Sequence, residues 1–342
     1  MRIWWIAIAL LIGCQTDVDD PGNRGDDENG TSEIAATDHL KEIFDQVDGT
    51  LLTQRLSEMA GVVPVTVNGA SITLGQRFDT AGRGRFRDYW SQTMRNLGLV
   101  VTPFHFTASP RAGDNVEAVL RGPSPDSVVV IVHYDSIGPR GRETSNPGAD
   151  DDMSGMAIML ETARLLVAHQ AQLQFTVRFV ISDMEELGGL AGARSYAQHI
   201  KAQAAAEGFR LVAAIDDEQS GWNCNTAGLC GDNLFPAFDV FTCSTETPPR
   251  FNFPAIGDQF GTIVAAYSPL RVKRGCIGAN SDHFAMWEIG VPAVVFSEHN
   301  PFANPHFDRA GGDTFARIDT AYLTSIARPA IAFQAALAGV QK

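Results

Sequence analysis

Four short apolar runs in the middle and C-terminal parts of the chain have the length and composition of buried β-strands. They cover residues 127–132 (SVVVIV), 175–181 (FTVRFVI), 211–215 (LVAAI) and 292–296 (PAVVF). A continuous run of β-branched and aliphatic residues, without polar alternation, is typical of a strand that is covered on both faces. We therefore predict a sheet with both faces covered.

Between these runs the apolar residues follow helical intervals. The clearest set lies between the first two runs: Met156, Met159, Leu160, Ala163 and Val167. Further helices are predicted over residues 39–59, where Asp38 can cap the first turn, and over residues 82–97. The alternation of strands and helices predicts an α/β fold with a three-layer α/β/α arrangement.

The first residues have a different pattern. Arg2 precedes ten apolar residues, 3–12, which are too few to span a bilayer as a helix and are typical of a signal peptide. Residues 11–14 (LIGC) are similar to the lipobox of bacterial lipoproteins, in which the cysteine becomes the acylated N-terminus. We interpret residues 1–13 as a lipoprotein signal peptide and Cys14 as the lipid anchor, with an ordinary secretory signal as the alternative.

An acidic segment follows Cys14. Residues 15–38 contain eight acidic residues, one basic residue and no aromatic residue, so they bury too little apolar surface to fold. We predict a flexible tether over residues 14–37 and one folded domain over residues 38–342. The protein is expected to be exported and anchored to a bacterial membrane, the outer membrane by the resemblance at Gln15, or to be periplasmic or extracellular.

The charge and the cysteines limit the possible partners and sites. The chain has 26 Lys and Arg and 40 Asp and Glu, which gives a net charge of −14. This charge argues against nucleic acid as a partner.

Four cysteines remain in the exported domain and allow three pairings: Cys224, Cys230, Cys243 and Cys276. We favour Cys224 with Cys230, which closes a short loop, and Cys243 with Cys276. A four-cysteine zinc site is the alternative, although no CxxC is present.

Polar residues follow each apolar run. They are His133 and Asp135 after the first, Glu185 and Glu186 after the second, Asp216 after the third, and His306 in the loop after the fourth. Ligands of open α/β sheets bind outside the carboxyl ends of the strands, so these residues are expected at one edge. With the loop 148–155 (GADDDMSG), they form a ligand set suited to zinc and large enough for two ions that share a carboxylate.

Four motifs carry a resemblance to a known family: residues 133–136 (HYDS), 146–155 (NPGADDDMSG), 184–192 (MEELGGLAG) and 281–283 (SDH). They resemble the co-catalytic di-zinc aminopeptidases, which include secreted bacterial leucine aminopeptidases and, as a one-zinc branch, glutaminyl cyclases. The resemblance covers nearly all of residues 38–342. It implies a zinc-exopeptidase-like fold with a twisted, mostly parallel mixed sheet.

The resemblance also implies a set of metal ligands. Asp151 would bridge two zinc ions, one of which also takes His133 and Asp216, and the other Glu186 and His306. The sequence also offers alternative residues for two of these ligand positions. Asp217 and Glu218 compete with Asp216, which is preferred as the first carboxylate beyond its run, and His299 competes with His306, whose loop to Asp313 is longer than is usual in the family.

Further roles follow from the resemblance and from the position of each residue. Glu185 would be the general base that takes a proton from water, and Asp135 would orient the His133 imidazole. We place Asp152, Asp282 and His283 beside the ligands or on the substrate side. The peptide bond after Asp151 is expected to be cis, as it is in the family.

One departure concerns the substrate carbonyl. Secreted leucine aminopeptidases have a disulfide loop with a tyrosine before SDH, whereas this chain has Cys276, Gly278 and Asn280 in the matching positions. That local disulfide cannot form here, so either a zinc ion alone polarises the carbonyl or another donor, such as Arg274 or Asn280, replaces the tyrosine. Leucine specificity is therefore not carried over.

These observations predict a di-zinc exopeptidase, most closely an aminopeptidase acting on peptides, with membrane contact only through Cys14. Two alternatives remain at this point. One is a one-zinc aminoacyltransferase similar to glutaminyl cyclases, and the other is a non-catalytic surface binding protein with the same scaffold.

Overall fold

A central mixed sheet dominates the computed structural model, which describes residues 35–138, 146–224, 237–306 and 312–340. The strands of these residues are β1 (Val65–Val67), β2 (Ala70–Ile72), β3 (Val100–Ala108), β4 (Arg111–Leu120), β5 (Ser124–His133), β6 (Phe175–Ser182), β7 (Leu211–Asp217), β8 (Ala237–Ser244), β9 (Arg271–Ile277) and β10 (Ala293–Glu298). β1 and β2 form a hairpin. The other eight form one sheet in the order β3-β4-β6-β5-β7-β10-β8-β9.

Helices cover both faces of this sheet. They are α1 (Asp38–Gln46), α2 (Gly49–Met59), α3 (Thr80–Asn96), α4 (Met153–Ala168), α5 (Ala191–Glu207), α6 (Pro254–Tyr267), α7 (His283–Glu288) and α8 (Thr320–Leu337). The larger core contains side chains of α1 to α4, α6 and α8, and the smaller one contains those of α5 and α7. Val130 and Ile131 of β5 belong to different cores, which confirms the three-layer α/β/α fold.

Strand direction brings four strand ends to one edge. β5 is parallel to β6 and β7, and β7 is parallel to β10. β4 is antiparallel to β6, and β8 is antiparallel to β10. The carboxyl ends of the four parallel strands therefore lie side by side. Their last residues are His133, Ser182, Asp217 and Glu298.

Two helix predictions need correction. The single helix over residues 39–59 is two helices, because the Asp48 side chain accepts the backbone N–H groups of Thr50 and Leu51 and starts α2. Asp38 does not cap α1 but is its first residue, and the cap is Thr37. The helix over residues 82–97 begins two residues earlier, where Asp79 caps α3.

A disulfide joins Cys243 and Cys276, which face each other across β8 and β9. It confirms that predicted pairing and leaves neither sulfur as a thiolate, so the four-cysteine zinc site is wrong. Cys224 is also disulfide-bonded, and Cys230 lies outside the described residues. Cys14, the signal peptide and most of the tether also lie outside them, and no helix among the described residues is long and apolar enough to span a membrane.

The start of α4 approaches the end of β7 very closely. A Cβ atom at Gly155 of α4 would lie 1.9 Å from the backbone oxygen of Asp217. Only glycine allows this approach, which places the loop before α4 against the strand-end edge.

We predict that Gly155→Ala lowers the free energy of unfolding by ~1–3 kcal/mol or more, because the backbone of β7 would have to move. Gly84→Ala in α3 is the matched control, since its Cβ would meet nothing closer than 3.9 Å, and it should gain about 0.5–1 kcal/mol. Urea denaturation of the metal-free variants measures both. Equal stability of the two variants would contradict the close approach.

Candidate metal centre

Three buried side chains meet at the strand-end edge. His133 ends β5, Asp151 lies in the loop before α4, and Glu218 follows β7; one ligand atom of each lies within 4.8 Å of the others. His133 Nε2 is 2.9 Å from Asp151 Oδ1. One imidazole and two carboxylates are a ligand set of catalytic zinc sites, in which three protein ligands leave a position open.

The structure places Glu218, and not Asp216, with His133 and Asp151. Asp216 was preferred as the first carboxylate beyond an apolar run ending at residue 215. β7 continues to Asp217, however, because Asp216 and Asp217 still pair with Val295 and Phe296 of β10. The first residue beyond the strand is therefore Glu218, and Asp216 lies one pleat deeper.

The neighbours of Asp216 and Asp217 show this difference. The Asp216 carboxylate accepts the backbone N–H of His283 at 2.9 Å and lies 3.1 Å from its Nδ1. Asp217 points to the opposite face of the sheet, where it accepts a hydrogen bond from Gln334 of α8. Burial raises the pKa of Asp217 to about 8.

The loop that carries Asp151 is held by a residue distant in sequence. Both oxygens of the buried Asp313 carboxylate accept backbone N–H groups, one from Asp150 at 2.7 Å and one from Asp151 at 2.9 Å. The peptide bond between Asp151 and Asp152 is cis, as the resemblance implied. The Asp152 side chain caps α4 through the Gly155 N–H.

Asp135 joins two strand ends. Its carboxylate accepts the backbone N–H groups of Glu185 and Leu187, each at 3.0 Å, and lies 3.6 Å from His133 Nδ1. The shorter contact of that imidazole nitrogen, 3.2 Å, is to the backbone oxygen of Asp135. Asp135 therefore positions the Glu185 turn as well as His133.

The charges around the group explain several pKa shifts. Burial raises the pKa of Glu185 well above its ordinary value; the charge of His133 opposes this, and Glu186 and Glu218 add to it. Burial alone would lower the pKa of His133, but contacts with Asp135 and Asp151 outweigh it and raise the pKa.

This imbalance of charge fits a cation. Glu218 and Asp152 are also buried beside other carboxylates, and their pKa values are raised by burial and by that crowding. A divalent ion held by His133, Asp151 and Glu218 would offset the repulsion. Both the donor set and its electrostatics therefore fit zinc.

The other two predicted ligands are not members of this three-residue group. Glu186 is half-buried next to Glu185. His306 is half-buried, and burial together with the charge of Arg317 lowers its pKa. Its rival His299 lies 2.7 Å from Asp239, a pair that involves neither His133 nor Glu218.

The SDH motif lies directly beneath the group. The Ser281 hydroxyl donates to Glu218, and Asp282 accepts from Ser182 at the end of β6. Burial, together with the charge of Asp216, raises the pKa of Asp282 to about 7. His283 is fully buried against Trp287, with ring centroids 4.6 Å apart. This packing holds the His283 side chain in place beside the Asp216 carboxylate.

Neither candidate carbonyl donor lies at the group. Arg274 of β9 forms an ion pair with Asp258 and donates to the Gly257 backbone oxygen. Asn280 is exposed and directly precedes Ser281, which contacts Glu218. Neither side chain has a hydrogen bond to His133, Asp151 or Glu218 among the described contacts.

A buried guanidinium ties the loops around the group together. Arg77 is 1% exposed and donates to the backbone oxygens of Tyr134, Pro147 and Gly148. The first of these directly follows His133, and the other two belong to the segment that leads to Asp151. Burial lowers the pKa of Arg77 to about 10, although the charges of nearby carboxylates oppose this shift.

A family model, "Peptidase family M28", matches residues 115–334 of the chain. This is more than half of the sequence and includes every member of the group. The chain belongs to peptidase family M28. The membership confirms the resemblance to zinc aminopeptidases.

Similar proteins carry related descriptions. A probable leucine aminopeptidase of Arthroderma otae is 29% identical over 233 residues, which are 66% of this chain and 57% of that protein. The match therefore spans a little over half of the relative's length. Similarity of the M28 chain to this fungal protein is thus partial.

Two solved structures share the fold. A zinc aminopeptidase from Bacillus subtilis aligns with a TM-score of 0.61 and 14% identity, over 84% of this chain and 95% of that one. A glutaminyl cyclase of Bacteroides thetaiotaomicron aligns with a TM-score of 0.63 and 15% identity, over 87% and 99%. At such identities the likeness concerns the fold alone.

Sequence reasoning gave no site role to Asp313 or Arg77 and ranked Glu218 behind Asp216. For Glu218 the missing signal was the extent of pairing between β7 and β10. Asp313 was visible only as the end of a longer loop after His306. Arg77 lies outside every predicted element, so no local pattern pointed to it.

We predict that Glu218→Gln removes most of the zinc-induced rise in melting temperature, whereas Asp216→Asn keeps it. Both changes replace a carboxylate with an amide, and the asparagine can still accept the His283 N–H. At a free zinc concentration about 100 times Kd, the free energy of unfolding of the wild-type chain should rise by about 2.7 kcal/mol. Thermal unfolding with and without zinc measures the gain, and the opposite ranking would restore Asp216 as the ligand.

Proposed function

We propose that this M28 chain is a zinc-dependent exopeptidase, and specifically an aminopeptidase that removes N-terminal residues from peptides. The observation that carries the proposal is the buried group of His133, Asp151 and Glu218 with the carboxyl group of Glu185 beside it. A metal site next to a base of raised pKa is an arrangement suited to the hydrolysis of a peptide bond.

The similar proteins support this class. The partial match to a probable leucine aminopeptidase and the fold shared with a zinc aminopeptidase agree with the predicted activity. The fold is shared with a glutaminyl cyclase as well, but no contact in the described residues favours cyclisation. The proposal names no preferred N-terminal side chain, because the residues before SDH differ from the disulfide loop of leucine aminopeptidases.

The residues of the chain divide the chemistry. A bound zinc supplies a Lewis acid and lowers the pKa of a water in its coordination shell. Glu185 takes the proton of the attacking water and delivers it to the leaving amine. Asp135 holds the Glu185 backbone at its place, and burial excludes bulk water from His133 and Asp151.

We also propose a second zinc ion, which Glu186 and His306 would hold alongside Asp151. Glu186 and His306 are the residues that the sequence offers for it. Glu186 directly follows the base, and the His306 backbone N–H is hydrogen-bonded to Asn304, which contacts Asp150. Metal analysis of the purified chain tests the count, with two zinc ions per chain as the expected value.

We further propose export and lipid anchoring at Cys14, supported by the signal-like residues 1–13. The Cys243–Cys276 disulfide agrees with an oxidising compartment. A Cys14→Ser variant is expected to move from the membrane fraction to the soluble fraction, and an unchanged membrane fraction would contradict the anchor.

Glu185→Gln is predicted to retain zinc and to lose ~10² or more in kcat on aminoacyl-anilides, the scale of general-base catalysis. Glu207→Gln at the end of α5 is the matched control and should keep wild-type activity. The measurement is anilide release before and after chelation, beside the zinc content of each variant. Full activity of Glu185→Gln, or release by the wild type that chelation does not affect, would contradict the mechanism.

A further inference from the structure

Three loops meet at the buried carboxylate of Asp150, the neighbour of Asp151. Its Oδ1 accepts the backbone N–H of Gly221 at 2.7 Å and that of Ser220 at 3.2 Å. Ser220 lies two residues after Glu218. Asp150 therefore ties the loop of one candidate ligand to the loop of another.

The loop after β10 joins them through Glu298, which is fully buried. Its Oε2 accepts the backbone N–H of Trp222 at 2.6 Å, and its own backbone N–H donates to the Gln219 oxygen at 2.6 Å. The segment that follows Glu218 is thus held on one side by Asp150 and on the other by Glu298.

Asn304 lies between these two carboxylates. Its amide nitrogen donates to Asp150 Oδ2 and to Glu298 Oε1, each at 2.9 Å, and the residue is 6% exposed. Two buried carboxylates that lie close together repel each other, and a donor shared between them offsets the repulsion. The Asn304 amide is such a donor.

We propose that Asn304 is a positioning residue for the metal centre: by holding Asp150 and Glu298 together, it sets the separation of Asp151 and Glu218. The inference rests on the proposed function, because it requires that the group bind zinc. The Asn304 amide nitrogen donates to Asp150 and Glu298, and its oxygen accepts the His306 N–H. It therefore acts on Asp151 and Glu218 through Asp150 and the loop 218–222, and it also holds the backbone of His306.

The test is the affinity of the purified full chain for zinc, measured by competition with a chromophoric chelator. Asn304→Asp keeps the shape and the oxygen that accepts the His306 N–H, but it removes the shared donor. Asn304→Leu adds no charge but removes both the donor and the oxygen that accepts the His306 N–H, and it is the second variant if the aspartate variant does not fold. Loss of such a supporting contact should weaken zinc binding about 10- to 100-fold.

Thr176→Val is the matched control. Thr176 of β6 is similarly buried, donates to the Ser124 backbone oxygen and accepts the Gly122 N–H, so it holds the connection between β4 and β5 at the opposite end of the sheet. It should change the stability of the metal-free protein without changing the zinc affinity. Chemical denaturation of all metal-free variants records that stability.

Weaker zinc binding in the folded Asn304 variants, with wild-type affinity in Thr176→Val, supports the inference. Wild-type affinity in the Asn304 variants overturns it and leaves the proposed function intact. An equal loss in Thr176→Val also overturns it, because affinity would then follow stability alone. A wild-type chain that binds no zinc overturns both proposals together.

Discussion

Buried carboxylates at one edge of the sheet are the constraint that shapes the surrounding loops. A buried ionised carboxylate is costly unless donors or opposite charges compensate it. This edge buries several that accept backbone N–H groups, including Asp135, Asp150, Asp216 and Glu298. The backbone N–H groups that compensate them come from neighbouring loops, so each carboxylate also fixes the path of the chain.

The same contacts connect fold and chemistry. Asp313 holds the Asp151 loop, and Asp135 holds the turn of Glu185. Arg77 supplies a buried positive charge in that region. It donates to backbone oxygens, so these hydrogen bonds do not occupy the carboxylate oxygens that could bind a metal. The group of His133, Asp151 and Glu218 lies beside further buried carboxylates, and a bound cation would offset this negative charge.

Much of this arrangement could be predicted from sequence. His133 and Glu185 follow continuous apolar runs, and such runs mark the carboxyl ends of buried parallel strands. Asp151 could be placed because its loop repeats a family motif. The outer strands β3, β4, β8 and β9, of which β3 and β9 form the sheet edges, could not be predicted, since polar residues interrupt their apolar pattern and pairing with neighbours decides their structure.

The differences between prediction and structure have a common physical origin. The sequence favours Asp216 over Glu218 because an apolar run ends before the strand does, and only pairing with β10 shows that β7 continues. The single helix over residues 39–59 failed where Asp48 offered a cap. Asp313 and Arg77 act over long sequence separations, which local patterns do not contain.

The central claim is that His133, Asp151 and Glu218 together hold a zinc ion. Anomalous scattering at the zinc absorption edge, from crystals of the purified chain grown with zinc, tests it most directly. We expect an anomalous peak in contact with all three side chains. Zinc bound elsewhere, or no peak at this group in crystals that contain zinc, would contradict the account.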